Sequence, residues 1–409
     1  MKTTVRDIDV AGKRVLLRAD FNVPLDEHGG ITSDTRIRAT LPTIRYLLQR
    51  RAAIIVCSHL GRPGGKRVDG LSLRVVAERL SRMLNRSVQM AEDCVGRHVE
   101  DLVRGLGGGQ ILMLENLRFH PGEKANDEEF AHALAGLAEV FVNDAFGACH
   151  RAHASIVGIP RYLPAAAGLL LEKELKTLGT LLGDPEHAFA GLFGGAKVSD
   201  KVGAIENILD KLDSLLVGGA MATLFMKARG YQTGRSETEA EALDTARALM
   251  KKTVGNGTKL LLPTDVVVAE RIDPHADVET VPADQVPPDK HIVDIGPQTM
   301  QMYQEKLRGC RTVFWNGPLG VYEVPLLATG TKYMAHCLAG LPALTVVAGG
   351  STADVVDDLK LADRMGFVST GGGAAMEYLA GSTLPGVEAL TEKEPAPRLL
   401  QVAASAAGR

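Results

Sequence analysis

Aromatic side chains make up only 4% of the 409 residues, with a single tryptophan. A surface that stacks nucleobases on exposed rings is therefore excluded. An excess of charge is lacking too: the formal net charge is −3, so no nucleic-acid partner held by bulk cationic charge is expected, and any anion site must be local. Cysteine is sparse, odd in number and scattered, with Cys57, Cys94, Cys149, Cys310 and Cys337 showing no CxxC spacing. That pattern argues against a disulfide framework or a cysteine-based zinc module and fits reduced thiols, used as small buried hydrophobes, in a cytoplasmic protein. No run approaches the roughly 20 apolar residues of a membrane span. The opening MKTTVRDIDVAGKR has no apolar signal core, so a soluble protein is expected. Familiar catalytic signatures are missing as well. There is no GxxxxGK[ST], no HRD and DFG pair and no GxSxG, and the one glycine triplet fails GxGxxG because Met376 stands where the third glycine belongs;.

What is present is one repeated grammar. Ten short apolar runs each end in a Gly-, Arg- or Asp-containing loop followed by a helical pattern. Four lie in the first half: VLLRADFNVP from Val15, AAIIVCSHLGRP from Ala52, QILMLENLRF from Gln110 and VFVNDAFG from Val140. Six lie in the second: AFAGLFGGAKV, SLLVGGAM, KLLLPTDVVV, TVFWNGPLG, TVVAGG and FVSTGGG. Continuous apolar strands separated by crossover lengths predict parallel sheets covered on both faces. The length suggests two such domains. The expected fold is α/β, two doubly wound, Rossmann-like domains covering 1–164 and 184–380. The leucine-rich segment Ala165–Gly183 reads as a hinge helix between them, and 381–409 is expected to return to the first domain, with a small-residue tail from Glu394.

In open parallel sheets ligands gather outside the carboxyl ends of the strands. At those positions the first half offers Asp20, Asn22, His59, Arg62, Arg118 and Arg151, with Arg36 nearby. Guanidinium forks match two oxygens of a phosphate or carboxylate at once, so this half reads as an anion site. Its carboxylates are isolated among cations, which argues against a metal site there. The second half offers paired glycines. In FGGAKVSDK a helix is expected to open after Gly194 and Gly195, placing Lys197 and Lys201 on one face beside free backbone N–H groups that favour phosphate;. VSTGGGAAMEYL repeats the device with Gly371, Gly372 and Gly373. Asn316, Gly349, Gly350, Ser351 and Thr352 follow further strands, and Glu323 reads either as a ribose ligand or as a helix cap. Cations and geometry without a nucleophile and base are what phosphoryl transfer requires.

RADFNVP, TRIRA, SHLGRP, LENLRFH, NDAFGACHRAHAS, GGAKVSDK, WNGPLGVYE and STGGGA resemble, in order and over almost the whole chain, the motifs of the phosphoglycerate kinase family. The resemblance implies reversible phosphoryl transfer between 1,3-bisphosphoglycerate and ADP, giving 3-phosphoglycerate and ATP with Mg²⁺, by a monomer that closes about a hinge. It implies phosphoglycerate contacts from Asp20, Phe21, Asn22, Arg36, His59, Leu60, Gly61, Arg62, Arg118 and Arg151. Nucleotide contacts are implied for Gly195, Lys201, Gly296, Asn316, Glu323 and Gly349 through Thr352, and catalytic roles for Arg36, Lys197, Lys201 and Gly372. One motif departs: AGGSTAD stands where the family shows GGGD before Ser or Thr. Ala348 replaces a glycine and Ser351 the aspartate near Mg²⁺, so Ser351 is expected to be a weak metal ligand, acting through water or helped by Asp354. A catalytically weak paralogue serving as a ligand sensor or scaffold is the alternative reading.

Overall fold

The computed structural model describes residues 2–393. Fifteen strands are found among them: β1 Arg14–Arg18, β2 Ala53–Cys57, β3 Val88–Met90, β4 Ile111–Met113, β5 Val140–Asn143, β6 Ala165–Ala167, β7 Phe189–Phe193, β8 Ser214–Val217, β9 Lys259–Leu261, β10 Asp265–Ala269, β11 Val278–Pro282, β12 His291–Ile295, β13 Thr312–Asn316, β14 Leu344–Ala348 and β15 Phe367–Val368. They form two six-stranded sheets, β3-β4-β2-β1-β5-β6 and β15-β14-β13-β7-β8-β9, and a third of order β11-β10-β12. Every pairing within the two large sheets is parallel. In both, the strand order reverses at the centre, which opens a crevice at the carboxyl edge.

Central strands are buried throughout, as in AIIVC and TVFWN, because helices cover both faces. Alternate residues supply two cores. Val15, Leu17, Ile54 and Val56 pack under Ile37, Ile44 and Leu80. Leu16, Ile55 and Phe141 belong to a larger cluster that continues through Leu171 and Leu178 into Phe193, Phe314 and Val346 of the second sheet. The connector is thus part of a hydrophobic core shared by both halves.

The segment expected to be helical from Ala165 divides. Ala165–Ala167 is a strand paired with Phe141–Asn143, and the helix spans Leu169–Leu182. Three alanines carry no strand signal of their own, and sheet pairing overrides their helix preference. Gly168 marks the break, since a Cβ there would lie 2.1 Å from Asp144 Oδ1. That same oxygen accepts from the N–H groups of Leu170 and Leu171 and so caps the helix;.

KLLLPTDVVV also divides, into β9 of the large sheet and β10 of the antiparallel one, with Pro263 between them;. At the far end, Thr391 N–H donates to Ala165 O and Thr391 O accepts from Thr3 N–H, so the chain returns to the first sheet. The predicted tail from Glu394 lies outside the described residues. None of the described helices is long and apolar enough to cross a membrane.

Candidate active site

Arg18 closes β1 as a fully buried arginine in an apolar strand. Its Nε donates to Ser155 Oγ at 2.9 Å, and its Nη2 lies 3.2 Å from His59 Nδ1. A guanidinium only donates, so Nδ1 of His59 accepts and the ring proton sits on Nε2. Burial drives the His59 pKa well below the ordinary imidazole value, with Asp20 opposing the shift and Arg18, Arg118 and Arg36 adding to it, so the ring is neutral. Asp20 behaves oppositely. Burial alone would raise its pKa, but the Arg36 and Arg18 guanidiniums and the Asn22 N–H hold it at about 2. It is therefore an anion, ion-paired with Arg36 and accepting from Asn22 N–H at 3.2 Å.

The loops are tied to one another. Asn22 Oδ1 accepts from Gly61 N–H at 2.8 Å, and Gly61 O accepts from Arg118 Nη1 at 2.8 Å. Gly61 has φ +65° and would bring a Cβ within 2.7 Å of Leu71, so no side chain fits there. Arg118 is nearly buried, and its Nε has no partner. Burial and the crowding of Arg18 and Arg151 pull its pKa down to about 10. A desolvated cation with an orphan donor, beside other cations, is a place for an anion.

Asp20, Arg36, His59 and Arg118 thus gather at one edge, with Arg151 close enough to act on Arg118 electrostatically. Arg62 sits exposed on the loop after Gly61. Phe21 and Leu60 are core residues. The N–H of Phe21 donates to Ser58, and both backbone polar groups of Leu60 are engaged by Asn116. Their side chains are not available to a ligand.

On the second sheet a cavity of about 510 Å³ is lined by Gly195, Ala196, Gly219, Thr223, Ile272, Val293, Pro318 and Glu323, among others. Its apolar walls and glycine floor suit a flat heterocycle. Glu323 lines it and caps no helix, since neither following helix has a side-chain cap.

The helix expected to open at Gly195 begins instead at Ser199. Val198 and Ser199 donate their N–H groups to the Glu239 carboxylate, a distant residue that local pattern cannot reveal. Those amides are not free for phosphate. Lys197 precedes the helix and is exposed, while Lys201 is half-buried and donates to Lys197 O at 3.0 Å. Burial lowers the Lys201 pKa, with Asp200 and Glu239 opposing.

Gly296 does not line the cavity. It lies beneath Asp265, whose carboxylate takes the N–H groups of Gln298 and Thr299. Asn316, Gly349 and Thr352 lock two strand ends together: Asn316 Nδ2 donates to Ala348 O, and Thr352 Oγ1 accepts from Gly317 N–H. Gly350 and Ser351 stand exposed at the first turn of the helix Gly350–Asp358.

The two halves meet at a smaller pocket of about 60 Å³. Arg36, Ser33 and Thr35 line it from one side, and Gly350, Asp354, Asp357, Thr370 and Gly372 from the other. Asp357 Oδ2 accepts from Ser33 Oγ at 2.8 Å and from Thr35 Oγ1 at 2.7 Å, a direct bond between halves. Gly371 packs on Phe146, where a Cβ would approach to 2.5 Å. Of the four predicted catalytic residues, Arg36 and Gly372 share this pocket, whereas Lys197 and Lys201 do not line it.

Sequence reasoning missed Glu174. This fully buried residue of the connector helix accepts from Ser369 Oγ at 2.7 Å, Thr370 N–H at 2.7 Å and Thr370 Oγ1 at 3.0 Å. Burial raises its pKa to about 7 despite these bonds. Arg18 was missed too, although a charge inside an apolar strand was its signal.

Two doubly wound sheets, one edged with cations and one with glycine turns, facing across a cleft, define a two-domain α/β kinase. The phosphoglycerate kinase family profile matches residues 5–382. A phosphoglycerate kinase of Pelotomaculum thermopropionicum is 51% identical over 392 residues, 96% of this chain and 100% of that protein. One of Moorella thermoacetica is 50% identical over 392 residues, with the same shares covered. The solved phosphoglycerate kinase of Coxiella burnetii superposes with a TM-score of 0.83 at 38% identity, covering 95% of this chain and 98% of that one. The Pyrococcus horikoshii structure gives 0.85 at 30%, with the same coverage. The chain belongs to the phosphoglycerate kinase family.

Proposed function

We infer that this chain transfers a phosphoryl group reversibly between the carboxyl of 3-phosphoglycerate and ADP/ATP. The observation that carries the reading is the pocket lined jointly by Arg36 of one half and Gly372 of the other. Asp20, Asn22, His59, Arg62, Arg118 and Arg151 hold phosphoglycerate, Phe21, Leu60 and Gly61 shaping that loop through their backbone. Gly195, Lys201 and Glu323 hold nucleotide, with Gly349 through Thr352 toward its phosphates and Asn316 and Gly296 supporting the strand ends. Residues 1–164 with the returning segment, and 184–380, act as domains about the connector, bringing Lys197 and Lys201 toward Arg36. The leaving carboxylate needs no proton, so no general base is required. Alignment and neutralisation of charge on the transferring group supply the rate. The chain works as a cytoplasmic monomer.

Phosphate binding at the second half calls for a divalent cation, and Mg²⁺ is the ion proposed. The donors fit a hard cation that keeps most of its waters: Ser351 offers a hydroxyl, and Asp354, one turn on, offers a carboxylate lining the shared pocket;. When bound with nucleotide, the ion offsets phosphate charge. A hydroxyl is a weaker ligand than a carboxylate, so the Mg²⁺ requirement is raised. Ser351→Asp should lower the half-saturating Mg²⁺ concentration severalfold, measured at fixed ATP. An unchanged dependence contradicts the assignment.

Calorimetry separates the two sites. Arg118→Ala should weaken 3-phosphoglycerate binding at least about tenfold, the loss of one charge-assisted contact, and leave ADP binding unaltered. Glu323→Ala should do the reverse. If each variant weakened both ligands alike, the division of roles between the halves would be wrong.

A further inference from the structure

We propose that Asp93, Cys94 and His120 form a binding site for one thiophilic divalent cation of the zinc type, separate from the kinase machinery. One carboxylate oxygen, the Cys94 Sγ and an imidazole nitrogen all lie within 4.8 Å of one another. A tetrahedral ion with bonds of about 2.0–2.3 Å can collect ligands so spaced by small side-chain rotations.

The topology builds the cluster. Asp93 and Cys94 follow β3, and His120 ends the turn that follows β4. These strands are parallel neighbours, with Met90 opposite Met113, so their loops emerge side by side at the carboxyl edge. The cluster is also braced. Glu115 N–H donates to Asp93 O, Cys94 N–H donates to Asp93 Oδ1, and His120 Nε2 contacts that oxygen at 2.5 Å. The His120 ring stacks on Phe130 at 4.8 Å between centroids, which fixes its plane.

Exposure is graded. The Asp93 side chain is 55% exposed, that of His120 is 29% exposed, and Cys94 is fully buried. Solvent can deliver an ion to the carboxylate and imidazole, with sulfur as the floor. A thiol and an imidazole select zinc-like ions, whereas Mg²⁺ prefers oxygen throughout. The wide spacing of the cysteines argued against a cysteine-based zinc module. This site needs only one, because a carboxylate and an imidazole from neighbouring loops complete the set.

On binding, the Cys94 S–H bond breaks, its proton passes to solvent and the sulfur electron pair forms the metal bond. The hydrogen bond from Sγ to Glu115 O, 3.0 Å long, is given up. His120 gives up its Nε2 contact with Asp93 Oδ1, its ring proton passes from Nε2 to Nδ1 through solvent, Nε2 ligates the ion, and the fourth position stays open to water;. One proton from Cys94 is released per ion.

The test uses the full chain, stripped by a chelator and titrated with Zn²⁺ by calorimetry in excess Mg²⁺, then with Co²⁺ by absorbance. The expected result is one Zn²⁺ per chain and a thiolate-to-Co²⁺ charge-transfer band. Cys94→Ser should abolish the band and weaken Zn²⁺ binding at least tenfold, and His120→Gln should weaken it comparably. Should Cys94→Ser fail to fold, Asp93→Asn and His120→Gln, both at partly exposed positions, carry the test. No stoichiometric Zn²⁺ binding, or binding and a band indifferent to these variants, overturns the proposal.

Discussion

Arg36→Ala is expected to lower kcat at least a hundredfold, the scale of about 3 kcal/mol seen when a preorganised cationic or hydrogen-bonding contact to a transition state is removed. Arg36 lies in the first turn of the helix Thr35–Gln49, pairs with Asp20 and lines the pocket shared with Gly372. Its removal also leaves Asp20 as a buried anion with Arg18 as the remaining cation of the two that hold it. The second effect would appear as lost stability, so the two must be measured together. Arg36→Lys separates them, because it keeps the charge beside Asp20 but loses the planar fork. A large fall in kcat for lysine with near-native stability is the expected pattern. If both variants retained kcat within a few-fold, Arg36 would have no part in the chemistry.

Glu174→Ala is expected to destabilise the protein by about 3 kcal/mol, since it strips the acceptor from the Thr370 N–H and from the Ser369 and Thr370 hydroxyls at once;. The wild-type residue also imprints a pH dependence. Its pKa is raised from 4.5 to about 7 in the folded protein. The folded state therefore holds the proton more tightly than the unfolded state, and this contribution to stability is present at low pH and lost as pH rises from about 4.5 to 7. The shift corresponds to about 3 kcal/mol. Asp144 and Asp294, raised to about 6 and about 7 by burial, add slopes of the same sign. The comparison that isolates Glu174 is the difference between wild type and Glu174→Gln in denaturant titrations across this range. The glutamine variant should lack about that much slope while keeping an oxygen for Thr370. Parallel curves would show that Glu174 does not titrate there.

Glu174 and Arg18 also mark where sequence reading stops. Strands such as β2, β7 and β13 were legible because β-branched and apolar residues buried on both faces form continuous runs. β6 was not, because Ala165–Ala167 owes its conformation to Phe141–Asn143 alongside it. β11 was hidden for the opposite reason: VETVP is largely exposed and, among the described strands, pairs only with β10.

At the site, Asp20, His59 and Arg118 were legible because they follow strands at the carboxyl edge. What holds them was not. Asn116 engages Leu60, and Glu239 occupies the amides ahead of Lys201, across distances in sequence that no local pattern spans. The expectation of a free helix N-terminus at Lys197 failed for that reason. Gly296 was drawn from family resemblance, and it lies beneath Asp265 rather than on the cavity wall.

Steady-state phosphate transfer from ATP to 3-phosphoglycerate, with Mg²⁺ titrated, decides whether this chain is a working kinase. Saturable turnover in both substrates, requiring a divalent cation, is the expected result. Absence of turnover in a folded protein that still bound both ligands would contradict it and favour a ligand-binding sensor, with Ser351 the first residue to revert.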